Sequence, residues 1–366
     1  MAGMLVSGGA IAGFVIGLLT GFFVRRARLC SFGAIEAALA GHDWRRMKVF
    51  GLALGIALAG TQALIAFGWL DPLRTTYVAN KIPWLSTVIG SLGFGLGMAL
   101  VGTCAFGSLI RLGGGDLRSL VTLMAFGSVA YATLRGSLSG LRLSVIEKVV
   151  VAAPGDDAGA ASIWAVNLLG RPLGLALVFG LALLLVGLAL LDRRLWRAPK
   201  LMTAGAVLGL GVVGGWLVTG VFVDEFATTM RVQSLTFVAP VARALFGAMI
   251  GGAEWVDFGV GTVVGVALGA FIAAKRAADF RLEAFDDAHE MLRHFGGAAL
   301  MGLGGVLAGG CTIGQGLTAG SLMAFTWPIS VLGILVGARL GILILVEGSL
   351  REVITSRLPA GWSRRP

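Results

Sequence analysis

Long apolar runs separated by short polar stretches set the layout of this chain. Runs able to cross a hydrocarbon core of roughly 30 Å fall at about 4 to 24, 48 to 69, 84 to 111, 117 to 137 and 171 to 191. Further runs lie at about 201 to 222, 252 to 275, 291 to 317 and 321 to 346, which predicts nine membrane spans in all. The third and eighth are too long and too interrupted to be plain helices. Residues 98–115 read MALVGTCAFGSLIRLGGG, and residues 301–320 read MGLGGVLAGGCTIGQGLTAG. Two shorter apolar pieces, around 29 to 40 and 232 to 250, predict re-entrant helices, with Pro240 marking a break in the second. This is the pattern of an all-α integral membrane protein.

Composition agrees. Hydrophobic residues make up 57% of the 366 and charged residues 13%, about half the charge of a soluble domain. The 58 glycines suit helices that pack closely or break within a bilayer. Arg25 and Arg26 follow the first apolar run rather than precede it, the wrong polarity for a cleaved signal peptide. The net charge of +10 is read as topogenic, not as a nucleic-acid footprint. With the N-terminus outside and the spans alternating, 20 of the 29 basic residues fall inside, eight fall outside, and Arg339 lies in the last span. The expected topology is therefore N-outside and C-inside. Residues 138–170, with Pro154-Gly155-Asp156-Asp157, form an external loop. Trp69, Trp84, Trp164 and Trp196 lie near span ends as interface aromatics.

The two interrupted runs occupy matching places in two halves. A shift of 203 to 207 residues lays the first span on the sixth, the second on the seventh and the third on the eighth. It also lays Arg28-Leu29-Cys30-Ser31 on Arg231-Val232-Gln233-Ser234. Basic Arg25-Arg26 follows the first span, whereas acidic Asp224-Glu225 follows its counterpart, so matched spans run in opposite directions. That predicts an inverted-repeat transporter with its site near the midplane. The expected divisions are 1–137 for the first repeat and 138–200 for the external loop, linking span and basic loop. The second repeat is 201–350, and 351–366 is a basic cytoplasmic tail.

The chemistry centres on three cysteines, an odd number without a CxxC pair and so no disulfide scaffold. Each is followed three residues later by glycine: Cys30-Ser31-Phe32-Gly33, Cys104-Ala105-Phe106-Gly107 and Cys311-Thr312-Ile313-Gly314. A helix restarting after Cys104 or Cys311 presents unpaired N–H groups and the positive end of its dipole, which attract an anion. Thr103, Thr312 and Gln315 add hydroxyl or amide donors, while Gly102, Gly107 and Gly310 leave room. A thiol is a soft, weak donor, better matched to a sulfur-containing ligand than to phosphate. Arg28 and Arg111 flank the motifs as anion-attracting groups or as interfacial anchors. Arg339 is an intramembrane charge that either serves function or pairs with Glu347. His42, His289 and His294 are placed in polar connecting segments, so no metal site or cofactor is expected. No nucleotide-binding loop, GxSxG or intramembrane acid pair is present.

RARLCSFGAI at 26–35, VGTCAFGSLIRLGGG at 101–115 and LAGGCTIGQGLTAGS at 307–321 resemble the three cysteine motifs of the YeeE/YedE family of bacterial sulfur-compound transporters. The resemblance covers essentially the whole chain. It implies an hourglass-like, inverted-repeat inner-membrane protein that takes up thiosulfate. It also implies that Cys30, Cys104 and Cys311 pass the ion along through S–H hydrogen bonds. A small TusA-like sulfur-carrier protein, as a separate chain, is the implied partner. Family members handling selenium or other sulfur species share the motifs, so the substrate stays open at this point. The competing reading is a membrane thiol oxidoreductase or sulfurtransferase using the same cysteines covalently. The absence of CxxC and of a nearby base counts against it. A purely structural membrane protein fits the repeat poorly.

Overall fold

In a computed structural model, residues 2–78, 81–152, 159–221, 232–251 and 256–347 are described. The first half begins with α1 (Ala2–Ala27), α2 (Ser31–Ala40), α3 (Arg45–Ala66), α4 (Trp84–Val101), α5 (Ala105–Gly113) and α6 (Leu117–Leu134). The connecting region holds the short α7 (Ser139–Leu141), then α8 (Ala161–Leu169), α9 (Arg171–Leu190) and the short α10 (Arg193–Trp196). The second half follows as α11 (Pro199–Val221), α12 (Val238–Ile250), α13 (Phe258–Arg276), α14 (Ala288–Leu307) and α15 (Thr326–Glu347). A π-helical turn, Gly314–Ala319, lies between the last two. The extended structure among the described residues is small: strands Lys81–Ile82 and Val151–Ala152 pair antiparallel, beside three isolated bridges.

Each of the nine expected spans coincides with a helix or a helix pair, and the two short apolar pieces are α2 and α12. Eight stretches are long and apolar enough to cross a membrane. The remaining expected span, the eighth, whose helix is α14, is outside that set because its first two turns carry His289, Glu290, Arg293 and His294. His294 corrects the sequence reading. It is buried inside α14, not in a connector, with Nδ1 3.3 Å from the Thr122 hydroxyl of α6. Pro240 is a second correction. It occupies the first turn of α12, where no intrahelical N–H bond is lost, so it starts that helix rather than breaking it. The 138–170 segment is a structured connection containing α7 and α8, and Pro154 to Asp157 lie outside the described residues.

Packing recurs between the halves. α1 packs on α13 and α11 packs on α3; α4 packs on α15 and α14 packs on α6; α5 packs on α13 and the π turn packs on α3. The α4–α14 and α1–α11 contacts join like to like. The α1–α13 seam is built on two facing glycine rows, Gly13, Gly17 and Gly21 against Gly261, Gly265 and Gly269. A Cβ on Gly13, Gly17 or Gly21 would strike the carbonyl of Phe258, Thr262 or Val266. One on Gly261, Gly265 or Gly269 would strike that of Ala10, Phe14 or Leu18. Such small-residue seams let helix backbones meet where lipid offers no hydrophobic drive.

The connectors sort onto two faces as alternating spans require. On one face Arg25 and Arg28 reach Asp279, each at 3.4 Å. There Lys48 also meets Asp192 at 2.7 Å, and Arg118 bridges Asp116, Glu283 and Glu290. On the opposite face Thr75 bridges Val232, and Ala160 bridges Ala324. The first of these is called the basic face below. Arg339 is exposed on α15, away from the helix breaks; the Glu347 side chain, its expected partner, is outside the described set.

Replacing Gly265 by leucine should wedge α1 from α13 at a cost of about 1–3 kcal/mol and lower the melting temperature of the detergent-solubilised protein. Gly8→Leu should leave it unchanged, because a Cβ there meets nothing within 4 Å. Equal melting of the two variants would contradict the seam.

Candidate functional site

All three cysteines stand immediately before a helix. Cys30 and Cys104 are the extended N-cap residues of α2 and α5, and Cys311 precedes a helical run over 312–321. The first helical N–H groups have no intrahelical acceptor, and within a bilayer water cannot supply one. At two of the three sites the sulfur does. Cys104 Sγ accepts from the Gly107 N–H at 3.4 Å, and Cys311 Sγ accepts from the Gly314 N–H at 3.4 Å. Cys30 makes no such bond, so its thiol is left for other partners.

The glycine three residues on has its own reason. A Cβ on Gly107 would collide with Thr103 Oγ1 and sit 3.6 Å from Cys30 Sγ. One on Gly314 would lie 2.6 Å from Thr236 Oγ1 and 3.0 Å from the Tyr77 hydroxyl. One on Gly33 would lie 3.2 Å from Arg46. In each case the missing side chain admits a polar group from elsewhere in the chain to the head of the helix.

Ser31 ties the two breaks together. Its hydroxyl donates to Cys104 Sγ at 3.0 Å and pairs with Thr312 Oγ1 at 3.3 Å. Cys30 Sγ lies 3.8 Å from Thr103 Oγ1. The structure thus brings Cys30, Thr103, Cys104 and Thr312 into one cluster through Ser31, which the motif reading did not single out although it adjoins Cys30. Cys104 and Cys311 are fully buried and Cys30 half-buried.

Two cavities approach the helix breaks from opposite faces. That on the basic face, about 240 Å³, is lined by Arg25, Arg28, Cys30, Thr103, Gly107 and Arg111. Its counterpart, about 200 Å³, is lined by Tyr77, Lys81, Thr87, Glu147, Gly309 and Gln315 among others. A third, apolar cavity of about 240 Å³ lies among α2, α3, the π turn and α15, with Ser31 and Thr312 in its lining.

Some expected roles change. Gly102 has φ +76° and ends α4 in the left-handed conformation, and its carbonyl accepts from Arg111 at 3.0 Å. Its counterpart is Gly309, at φ +73°, not Gly310, which packs against the Gln315 side chain. Gln315 spends an amide hydrogen on the Ala308 carbonyl at 2.6 Å, and its Oε1 is buried without a partner among the described residues. The helix that follows Cys311 is wound as a π turn, not a regular α-helix. Helix starts also re-set the alignment of the halves. The N-cap of α12 is Phe237, so Phe237, not Gln233, stands where Cys30 stands in the first half. Tyr77 and Thr236 escaped the sequence reading; the only hint was that the chain has two tyrosines.

Residues 26–340 match the family model described as "Sulphur transport". The chain is 29% identical over 343 residues to "Thiosulfate transporter TsuA" of Escherichia coli K12, covering 89% of this chain and 92% of that protein. It is 27% identical over 350 residues to a protein of the same name from Spirochaeta thermophila, covering 88% and 95%.

The placement of the three thiols predicts their reactivity. A small water-soluble thiol reagent should modify Cys30 faster than Cys104 or Cys311, as read by peptide mass after timed labelling. Equal rates at all three would contradict the burial described.

Proposed function

The chain belongs to the sulphur transport family and is a transporter, and on that premise we propose that it carries thiosulfate or a similar small sulfur-containing anion across the bacterial inner membrane. The observation that carries this reading is the pair of sulfur-capped helix breaks between two cavities, with thiols, hydroxyls and an amide as their polar side chains. An anion in a bilayer must be matched without stranding an unpaired arginine. Two restarting helices offer roughly +0.5 elementary charge each. Against a dianion such as thiosulfate that is partial compensation, which suits an ion that has to leave again.

The cysteines act by hydrogen bonding in this scheme. Cys104 and Cys311 sit at the barrier, each able to turn its S–H towards the ion while its sulfur still accepts from the helix N–H. Ser31 and Thr312 supply stronger hydroxyl donors beside Cys104. Cys30 and Thr103 receive the ion next, and Arg25, Arg28 and Arg111 hold the exit cavity positive. Arg111 also braces the Gly102 carbonyl at the break. With the basic face cytoplasmic, by the positive-inside rule, the N-terminus is outside and the direction is uptake. The recurring helix contacts support two inverted repeats, 1–137 and 201–350, joined by 138–200, with 351–366 as a cytoplasmic tail. A separate TusA-like sulfur carrier fits as the cytoplasmic acceptor. The covalent alternative is disfavoured by the two buried cysteines' bonding, since their near partners are hydroxyls and backbone N–H groups rather than a base.

A bacterium unable to take up sulfate, given this chain and thiosulfate as sole sulfur source, should grow. Cys104→Ala and Cys311→Ala should abolish the rescue, and Cys30→Ala should weaken it. Rescue by both buried-cysteine variants at the wild-type rate would refute the relay.

A further inference from the structure

The two restarting helices are equivalent in form but carry different groups over their heads. Above Gly107 lie the Thr103 hydroxyl and the Cys30 thiol, which face the cavity on the basic side. Above Gly314 lie the Thr236 hydroxyl and the Tyr77 phenol, and Tyr77 with Gln315 lines the cavity on the opposite side. Both arrangements consist of one threonine hydroxyl and one further donor, packed where a Cβ is missing. The place that Cys30 takes at the head of α2 is held by Phe237 at the head of α12. Phe237 has no donor, and its ring packs on Phe106 at 4.7 Å. The donor that the second half lacks at that position comes instead from Tyr77, in the connector between α3 and α4.

We infer that Tyr77 and Thr236 form a second anion station on the face opposite the arginines, and that this station takes the oxygen end of the ion. It rests on the transport reading above and adds the entry-side chemistry. The Thr236 and Tyr77 hydroxyls both border the space a Cβ on Gly314 would take, at 2.6 and 3.0 Å from it. Two hydroxyls hold two hydrogens, so at least one is left for a ligand whether or not the two pair with each other. The phenol is held in place from behind: its ring meets Trp216 edge-on at 6.5 Å, and fully buried Trp216 donates to the Ser321 hydroxyl at 3.1 Å. Lys81 lines the same cavity and has no ion pair among the described residues, whereas Glu147 is paired with Arg142 at 3.5 Å. Among the described residues the cavity therefore has a spare positive charge. Hydroxyl hydrogens are harder and stronger donors than S–H and match oxyanion oxygens; the thiols beyond match sulfur. An ion with both ends, entering here, meets oxygen chemistry first and sulfur chemistry next.

The test is the concentration dependence of labelled thiosulfate uptake in the sulfate-uptake-deficient host, at matched membrane levels of each variant. Tyr77→Phe and Thr236→Val should each raise KM about tenfold, the loss expected for one hydrogen bond to a charged group, with the maximal rate within about twofold of wild type. Thr236→Ser should restore the wild-type KM. Wild-type uptake with unchanged KM in both variants overturns the station and leaves the transport reading standing. A fall in maximal rate at constant KM also overturns it, since that marks a structural role. No uptake by the wild-type chain overturns the transport reading, and the station with it.

Discussion

A helix broken inside a bilayer leaves backbone groups that no solvent can satisfy, and this protein breaks two helices there. Each break is closed in the same way. The incoming helix ends on a left-handed glycine, Gly102 or Gly309. The outgoing helix begins under a cysteine sulfur, Cys104 or Cys311, that accepts the N–H three residues on. Sulfur is a weak acceptor, strong enough to cap a helix, and its S–H is left as a donor, which the proposed relay assigns to the ion. A serine or aspartate would cap more firmly, and an aspartate would add a negative charge that opposes the proposed passage of an anion.

The remaining architecture holds those two breaks together. Glycine seams such as Gly13, Gly17 and Gly21 against Gly261, Gly265 and Gly269 let the halves close on each other at backbone distance. Ser31 then spans from α2 to both breaks, so this short helix links the longer ones at the site. Arginine is kept out of this centre and gathered at one mouth, where water shares the cost of the charge.

Much of this was legible in the sequence, and the exceptions have physical causes. Apolar run length located helices at all nine expected spans, eight of them long and apolar enough to cross a membrane, because backbone satisfaction leaves a lipid-exposed chain little choice but helix. The cysteine–glycine spacing was visible as a pattern, but its reason was not. Gly107 makes room for Thr103 of its own motif and for distant Cys30, and Gly314 makes room for Tyr77 and Thr236 from other parts of the chain; no local signal announces such tertiary neighbours. His294 was misplaced because a polar residue looks like a connector until a partner such as Thr122 is found for it. Gln233 was matched to Cys30 by a shift that fitted the spans; the helix starts, which fix the register of the site, select Phe237. Gly309 and Gly310 are indistinguishable as letters and differ only in backbone conformation.

The central claim is that the sulfurs at the breaks touch the ion without bonding to it. The most direct measurement is intact mass of the protein after turnover with thiosulfate labelled in its terminal sulfur, together with the fate of that label. The account predicts an unmodified chain and an ion delivered whole, its two sulfur atoms still joined. A labelled sulfur atom left on Cys104 or Cys311 would contradict it.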